Sequence, residues 1–293
     1  MKKWIVKAAA IALALGATVA AAQGATPPRV IYGSNPAAGA YFDHDGVRLY
    51  YEVYGAGPPL LLIHGNGASV RSFTYQIDDF RRKYTVIAMD SRDHGRSSDS
   101  PAPLTFEAMS DDLDALLDHL HTGPAYVLGW SDGAIEALLL GMRHPDKVKM
   151  IAAMAANLDP GGVYSEFLEP ADPPKPAGVA APPPTRAQRV SALDRDEPHI
   201  PPKALEAITA PTLVIAGDHD AIRDEHTLLI FHHLKNSQLA ILPDATHMVP
   251  IDDPARFNAT VDRFFSTPFV KKDRMLDLLK TLHRVSAEMA AEK

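Results

Sequence analysis

The sequence predicts an α/β fold in which a mostly parallel, twisted sheet carries helices on both of its faces. Apolar runs of strand length alternate with segments of helical periodicity along most of the chain. Some of these runs are apolar at every position, as strands covered on both faces must be. Repeated alternation of strand and helix favours a parallel sheet, and ligands of such sheets bind beyond the carboxyl ends of the strands.

Composition and charge narrow the range of functions. A chain of 293 residues is long enough for one α/β domain with a large core. The formal net charge is −7 and no basic cluster stands out, so a nucleic-acid partner is not expected. Because the chain has no cysteine, disulfides, thiol catalysis and thiolate metal sites are excluded.

Residues 1–22 have the pattern of a secretory signal peptide. Three lysines precede an Ala-rich apolar run over 8–19, and the Ala-Ala-Ala sequence at 20–22 offers a cleavage site. A retained membrane anchor is the alternative, but it needs about 20 apolar residues, more than this run supplies. We therefore expect an exported protein, periplasmic or secreted, with no membrane segment after cleavage. Residues 23–40 then form an extended, proline-containing leader.

The first strands are predicted from turn and apolar signals. Asp45-Gly46 separates two β-rich runs within 41–54, which predicts a hairpin. The run over 60–63 is apolar throughout and ends in His64-Gly65-Asn66-Gly67, before a helix over 69–80. A Gly-rich loop at this place can aim a backbone N–H at a developing oxyanion, although a plain βα turn has the same composition. His64 is expected to be structural, because it precedes that loop.

The later elements continue the alternation around one interruption. The interval 157–203 contains eleven of the 25 prolines, which resist helix interiors and central strands, so we expect a short Pro-rich lid or a linker there. Tyr164, Phe167 and Leu168 could place apolar side chains over a pocket. The remaining predicted strands cover 84–89, 125–128, 148–155, 212–216 and 238–242, and the remaining predicted helices cover 105–119, 134–143, 224–234 and 253–265.

The sequence Gly129-x-Ser131-x-Gly133 lies between a predicted strand and a predicted helix. This spacing is typical of a nucleophile elbow, in which a strained turn projects the serine hydroxyl above the sheet. Glycines flank the serine because a side chain there would collide with the adjacent elements. An ordinary turn with an N-cap serine is the alternative.

An acidic residue and a histidine follow the last two predicted strands. Gly217-Asp218-His219-Asp220 follows the strand over 212–216, and His247 follows the strand over 238–242. A serine hydroxyl needs an imidazole to accept its proton and a carboxylate to orient that imidazole. The chain order Ser, Asp, His fits this need. Spacing alone does not choose between Asp218 and Asp220.

These motifs together resemble the α/β-hydrolase superfamily, from about residue 41 to residue 265. The resemblance implies a serine hydrolase whose catalytic residues are Ser131, Asp220 and His247, with Asp218 as a loop-stabilising acceptor. It also implies an oxyanion hole formed by the backbone amides of Asn66 and Asp132.

Other positions follow or depart from the family pattern. Residues 89–98 are similar to the family's D-x-R-G-H-G-x-S stretch, but Asp93 stands where glycine is usual, so a positive φ is expected there. No His-x-His-x-Asp-His ligand set is present, so neither a metal nor another cofactor is expected. Four further histidines are expected at the surface: His219, His226, His232 and His233.

The function implied by this resemblance is acyl transfer to water. Ser131 would attack the carbonyl of a small-molecule carboxylic ester or lactone, and water would then release the acid. Two alternatives remain open. One is C–C bond hydrolysis or perhydrolysis on the same residues, and the other is a non-enzymatic protein that binds small molecules.

Residues 268–293 lie beyond the family core. Their apolar residues recur at helical spacing, which predicts a C-terminal amphipathic helix. The helix would either pack on the domain or form a homodimer contact. Its apolar residues are Met275, Leu279, Leu282, Val285 and Met289.

Overall fold

The computed structural model describes residues 30–168, 183–270 and 274–291. The predicted signal peptide, residues 23–29 of the leader and the central part of the Pro-rich interval lie outside the described residues. The described strands form one eight-stranded sheet in the order β1-β2-β4-β3-β5-β6-β7-β8. Pairing is antiparallel from β1 to β2 and from β2 to β4, and parallel throughout the rest of the sheet. The predicted α/β fold is therefore confirmed.

The bounds of the elements follow the predicted alternation closely. The strands are β1 Gly39–His44, β2 Val47–Tyr54, β3 Pro59–Ile63, β4 Thr85–Asp90, β5 Ala125–Trp130, β6 Val148–Met154, β7 Thr212–His219 and β8 Ser237–Thr246. The α-helices are α1 Thr74–Phe80, α2 Phe106–His119, α3 Asp132–Arg143, α4 Arg186–Asp196, α5 Asp224–His233, α6 Val249–Asp252, α7 Pro254–Ser266 and α8 Arg274–Ala291.

The sheet is covered on both faces, which explains its uniformly apolar central strands. Leu61 and Ile63 of β3 join a buried cluster with α2 and α3, whereas Leu60 and Leu62 join a second cluster with α1 and α7. Alternate residues of one strand thus point into two different cores. Full burial of one such side chain stabilises the fold by about 1.5–3 kcal/mol.

The parallel register brings the polar loops to one edge of the sheet. Ile63 at the end of β3 is paired with Gly129 of β5, and Trp130 of β5 is paired with Met154 of β6. His219 of β7 is likewise paired with Thr246 near the end of β8. The segments that follow β3, β5, β7 and β8 therefore begin at the same edge.

The buried carboxylate of Glu52 on β2 holds the N-terminal segment against the sheet. It accepts hydrogen bonds from the amides of Gly33 and Asn35, both at 2.8 Å, and from the hydroxyls of Tyr50 and Tyr54, at 2.6 and 2.7 Å. Residues 30–38 form turns rather than the extended leader that the sequence suggested. The segment turns because each of these amides must face the same carboxylate.

A helix that the sequence did not predict lies within the interval 157–203. Helix α4 begins at a capping box, in which Thr185 and Gln188 exchange hydrogen bonds, and it buries Val190 and Leu193 in the core. The prolines that precede Thr185 argued against a helix in this interval, although proline is compatible with a helix that starts after it. The interval 157–203 also contains Phe167, whose side chain is 55% exposed and so does not form part of a core.

Helix α8 carries large apolar side chains that are exposed. Its large apolar residues between 275 and 289 are all 42–65% exposed, which does not favour the alternative in which the helix packs on its own domain. Within the residues described, the structure contains no helix that is both long and apolar enough to cross a bilayer. The apolar residues of α8 are Met275, Leu276, Leu278, Leu279, Leu282, Val285 and Met289.

We propose that α8 pairs with α8 of a second copy of the chain. Five apolar residues of α8 are spaced alternately three and four positions apart, which is the pattern of helices that pack side by side. Light scattering is expected to give the mass of a dimer for the full chain and of a monomer for a chain truncated after Val270. An unchanged oligomeric state after truncation would contradict the proposal. The five residues are Met275, Leu278, Leu282, Val285 and Met289.

Candidate active site

Ser131 occupies a strained turn between β5 and α3. Its backbone has φ 59° and ψ −123°, a conformation that non-glycine residues rarely adopt. Backbone hydrogen bonds on both sides hold it there. The Ser131 amide donates to the Met154 carbonyl at 2.8 Å, and the Ser131 carbonyl accepts from the Ala134 amide at 2.8 Å. The turn is therefore fixed between the end of β6 and the first turn of α3.

The glycines around Ser131 allow three backbone segments to approach closely. A Cβ on Gly133 would lie 2.0 Å from the Ile63 carbonyl oxygen, and one on Gly129 would lie 2.1 Å from the Gly133 carbonyl oxygen. A Cβ on Gly65 would lie 2.9 Å from the Cβ of Ser131. The loop that was predicted to supply an oxyanion donor therefore passes directly beside the candidate nucleophile.

The structure brings Asp220 and His247 together. The Nδ1 of His247 lies 2.7 Å from Oδ1 of Asp220, whose side chain is fully buried and also accepts from the Gly217 and Ile222 amides, both at 3.1 Å. The His247 carbonyl accepts a hydrogen bond from the Trp130 indole at 2.9 Å, which places His247 beside the residue that precedes Ser131. With Nδ1 engaged by the carboxylate, Nε2 is the nitrogen available as a base.

Asp218, the other candidate acid, is hydrogen-bonded to a backbone amide, whereas His247 is bonded to Asp220. Oδ1 of Asp218 accepts a hydrogen bond from the Ala245 amide at 3.1 Å, and this side chain is 39% exposed. Hydrogen bonds from the Ala245 and Asp244 amides lower the pKa of this carboxyl. Asp218 thus links the end of β7 to the end of β8, as a stabilising acceptor would.

His64 has the structural environment that the sequence suggested. Its Nδ1 lies 2.9 Å from the Gly65 carbonyl, and its Nε2 accepts from the Ser91 amide at 3.1 Å. Burial lowers the pKa of His64 to about 4, so the ring is neutral at pH 7 and both of its nitrogens are occupied. The ring connects the oxyanion loop to the segment after β4.

The expectation that His226 lies at the surface is wrong. Its side chain is buried, its Nε2 accepts from the Leu158 amide at 2.8 Å, and burial lowers its pKa. The ring packs so closely on Gly162 that a Cβ there would lie 2.7 Å from it. This contact joins α5 to the segment after β6, a long-range neighbour that local sequence does not reveal. His219 and His232 are exposed, as expected.

The side chain of Asn66 makes contacts that the sequence did not suggest. Its Nδ2 donates to Oδ2 of Asp132 at 2.9 Å and to the Val190 carbonyl at 3.0 Å. Both partners are acceptors, which fixes the orientation of the amide. The contact was missed because the unpredicted helix α4 supplies one of the acceptors. Asn66 and Asp132, whose backbone amides are the predicted oxyanion donors, are thus joined through their side chains.

Asp132 is a buried carboxyl at the start of α3. Burial, together with the negative charge of Asp194, raises its pKa from 3.8 to about 7, whereas the hydrogen bond from Asn66 opposes the shift. The folded protein therefore holds the Asp132 proton more tightly than the unfolded chain does. Between about pH 4 and pH 7 this group lowers the stability of the fold progressively as the pH rises.

Asp132→Asn is therefore expected to stabilise the protein above pH 7 and to have little effect below pH 4. The amide keeps an oxygen for Asn66 but never ionises, which removes a cost of roughly 2–4 kcal/mol in the free energy of unfolding. Denaturant unfolding at several pH values measures the difference, with the exposed Asp79→Asn as a surface control. If the difference in the free energy of unfolding between Asp132→Asn and the wild type did not change with pH, the raised pKa of Asp132 would be contradicted.

Candidate metal ligands are not clustered in the part of the chain that the structure describes. Within residues 30–168, 183–270 and 274–291, the structure contains no group of three or more His, Asp or Glu side chains arranged to hold an ion. The groups described at the candidate site are a serine, an imidazole, a carboxylate and backbone amides.

Comparisons with known proteins agree with this fold. The family described as alpha/beta hydrolase fold matches residues 58–183. The uncharacterized hydrolase YraK of Bacillus subtilis is 37% identical over 108 residues, which are 36% of this chain and 40% of that protein, so the match spans well under two thirds of YraK. The pimeloyl-[acyl-carrier protein] methyl ester esterase of Neisseria meningitidis is 30% identical over 228 residues, 64% of this chain and 85% of that protein.

A solved structure shows the same architecture. The crystal structure of a hydrolase from Pseudomonas aeruginosa superimposes with a TM-score of 0.66 at 22% identity, and it covers 80% of this chain and 100% of that one. At this identity the similarity concerns the fold alone. Together with the family match and the methyl ester esterase, it shows that the chain belongs to the α/β-hydrolase superfamily.

Proposed function

We propose that the protein is a serine hydrolase that cleaves a carboxylic ester or lactone through an acyl-enzyme on Ser131. The observation that carries this proposal is the hydrogen bond of 2.7 Å between His247 and the buried Asp220, at the sheet edge where Ser131 occupies its strained turn. Such a pair can hold an imidazole in the tautomer that accepts a proton from serine. No metal or cofactor is required for this chemistry.

The proposed reaction has two steps. The Ser131 hydroxyl attacks the substrate carbonyl while Nε2 of His247 takes its proton, and the amides of Asn66 and Asp132 donate hydrogen bonds to the resulting oxyanion. The intermediate collapses, and the leaving alkoxide takes the proton from the imidazolium. Water then gives a proton to His247 as its oxygen attacks the acyl group, and the bond to Ser131 Oγ breaks as His247 returns that proton to the leaving oxygen, which releases the acid and the free serine. Asp220 keeps its hydrogen bond with Nδ1 throughout and stabilises the imidazolium.

The relatives support an ester as the substrate class. The similar protein of Neisseria meningitidis is named as a methyl ester esterase, and the match covers 85% of it. A lactone is an internal ester that reacts at the same carbonyl. We further propose that the enzyme acts after export, because residues 1–22 carry the signal pattern. A mature N-terminus at Gln23 is the expected result of N-terminal sequencing.

Active-site labelling followed by a substrate panel tests the proposal. A fluorophosphonate is expected to add once, at Ser131, as shown by peptide mass spectrometry. The labelled protein should lose the hydrolysis of p-nitrophenyl esters and lactones of graded acyl length that the unlabelled protein performs. Failure to label would favour a binding protein. Labelling without turnover of any ester, but with cleavage of a C–C bond or with peracid formation, would favour the alternative chemistries.

A further inference from the structure

The carboxylate of Asp93 is buried and contacts helix α4. Asp93 has φ 60°, so the positive φ expected at this departure from the family pattern is confirmed. One carboxylate oxygen accepts from the Ser100 amide, and the other is bonded to Nε of Arg189 in α4. Glycine would adopt this backbone conformation at lower cost. What aspartate adds at this position is therefore its carboxylate, which reaches the helix above it.

A second arginine of α4 contacts the same loop. Arg186 binds Asp99 through Nε at 2.6 Å and donates to the Ser97 carbonyl at 2.9 Å. Nη2 of Arg189 also lies 3.1 Å from a carboxylate oxygen of Asp99. The first turns of α4 are thus held on the segment after β4 by charged hydrogen bonds, which are the stronger kind.

The next residue along α4 reaches the candidate oxyanion loop. Val190 follows Arg189 directly, its side chain is buried in the core, and its carbonyl accepts the Nδ2 hydrogen bond of Asn66 at 3.0 Å. The other hydrogen of that amide binds Asp132 at 2.9 Å. A continuous series of contacts therefore runs from Asp93 through Arg189 and Val190 to Asn66.

We propose that Asp93 and Arg189 form a positioning pair that fixes helix α4. The fixed helix lets the Val190 carbonyl hold the side chain of Asn66, so that the backbone amide of Asn66 faces the oxyanion. This role rests on the serine hydrolase function proposed above. The two residues act through Asn66 and do not touch the substrate. A misplaced donor loses part of the stabilisation of the transition state, and removal of a whole donor costs about 10²–10³-fold in kcat.

Kinetics of Arg189→Gln and Asp93→Gly measure the effect. Each is expected to lower kcat about 10–30-fold, a fraction of the loss of a whole donor, with a smaller change in KM because the donor acts mainly in the transition state. Arg82→Gln serves as the matched control, because Arg82 is an exposed arginine that pairs with Asp79 in α1. Arg189→Lys keeps a charge and is expected to recover part of kcat. A kcat within twofold of wild type in both variants would overturn the proposal.

A double-mutant cycle with Asn66→Ala separates positioning from a general structural role. If Arg189 acts through Asn66, Arg189→Gln should lower kcat less than about threefold in the Asn66→Ala background. Equal losses in both backgrounds would overturn the proposal. Hydrogen exchange of the α4 amides is expected to accelerate in Asp93→Gly, and faster exchange with unchanged kcat would likewise overturn it. A wild-type protein that turns over no ester would instead refute the proposed function itself.

Discussion

Ser131→Ala is expected to lower kcat for ester hydrolysis by about 10⁴–10⁶-fold. Without the hydroxyl there is no acyl-enzyme, and only the oxyanion donors and substrate binding remain to accelerate attack by water. The loss should be in kcat, measured by initial rates on the best p-nitrophenyl ester of the panel. Thermal unfolding should be almost unchanged, because alanine keeps the Cβ and the same strained backbone.

The matched variant Ser131→Gly tests the strain at this position. Glycine adopts the conformation of φ 59° and ψ −123° freely, so it should release roughly 1–3 kcal/mol of strain and lose about 0.4–1 kcal/mol through the more flexible unfolded chain. A net stabilisation near 1 kcal/mol relative to Ser131→Ala is expected from denaturant unfolding, with activity equally lost. A glycine variant less stable than the alanine variant would contradict the inferred strain.

Asp220→Asn is expected to lower kcat by about 10³–10⁴-fold. An amide cannot stabilise the imidazolium, and it favours the tautomer in which Nε2 of His247 carries a proton and cannot act as a base. The buried Asp220 also accepts two backbone hydrogen bonds, so a loss of about 1–3 kcal/mol in the free energy of unfolding should accompany the change. Initial rates and denaturant unfolding measure the two effects separately.

Asp218→Asn provides the internal control, since it makes the same chemical change two residues away. Asp218 is bonded to the Ala245 amide rather than to His247, so kcat should fall no more than a few-fold. If Asp218→Asn lost as much activity as Asp220→Asn, the assignment of the acid would be wrong.

The fold and the candidate residues could be predicted from the sequence wherever residues close in the chain determine them. The apolar run of β3 requires cover on both faces, and the turn at Ser131 requires glycines at two particular positions. The unusual Asp93 indicated a positive φ, and the structure has φ 60° there. In each case the information lies within a few residues of the feature.

The contacts that were missed depend on residues distant in the chain. Helix α4 follows a run of prolines, and nothing near Asn66 indicates that Val190 accepts its hydrogen bond. His226 is polar and lies in a helix with a histidine-rich end, yet its ring is enclosed by a segment more than 60 residues earlier. The spacing of the residues did not distinguish Asp218 from Asp220 as the acid. In the folded protein it is Asp220 that is bonded to His247.

The carboxylate of Glu52 constrains how the N-terminus can be processed. A protease that trimmed the chain past Asn35 would remove two of its four donors and leave a buried carboxyl group bonded to two tyrosines alone. Cleavage after residue 22 retains the amides of Gly33 and Asn35. A fusion partner joined directly at Pro36 would replace the residues that carry them. A recombinant form should therefore retain the segment from Tyr32 onward if its sheet is to keep native stability.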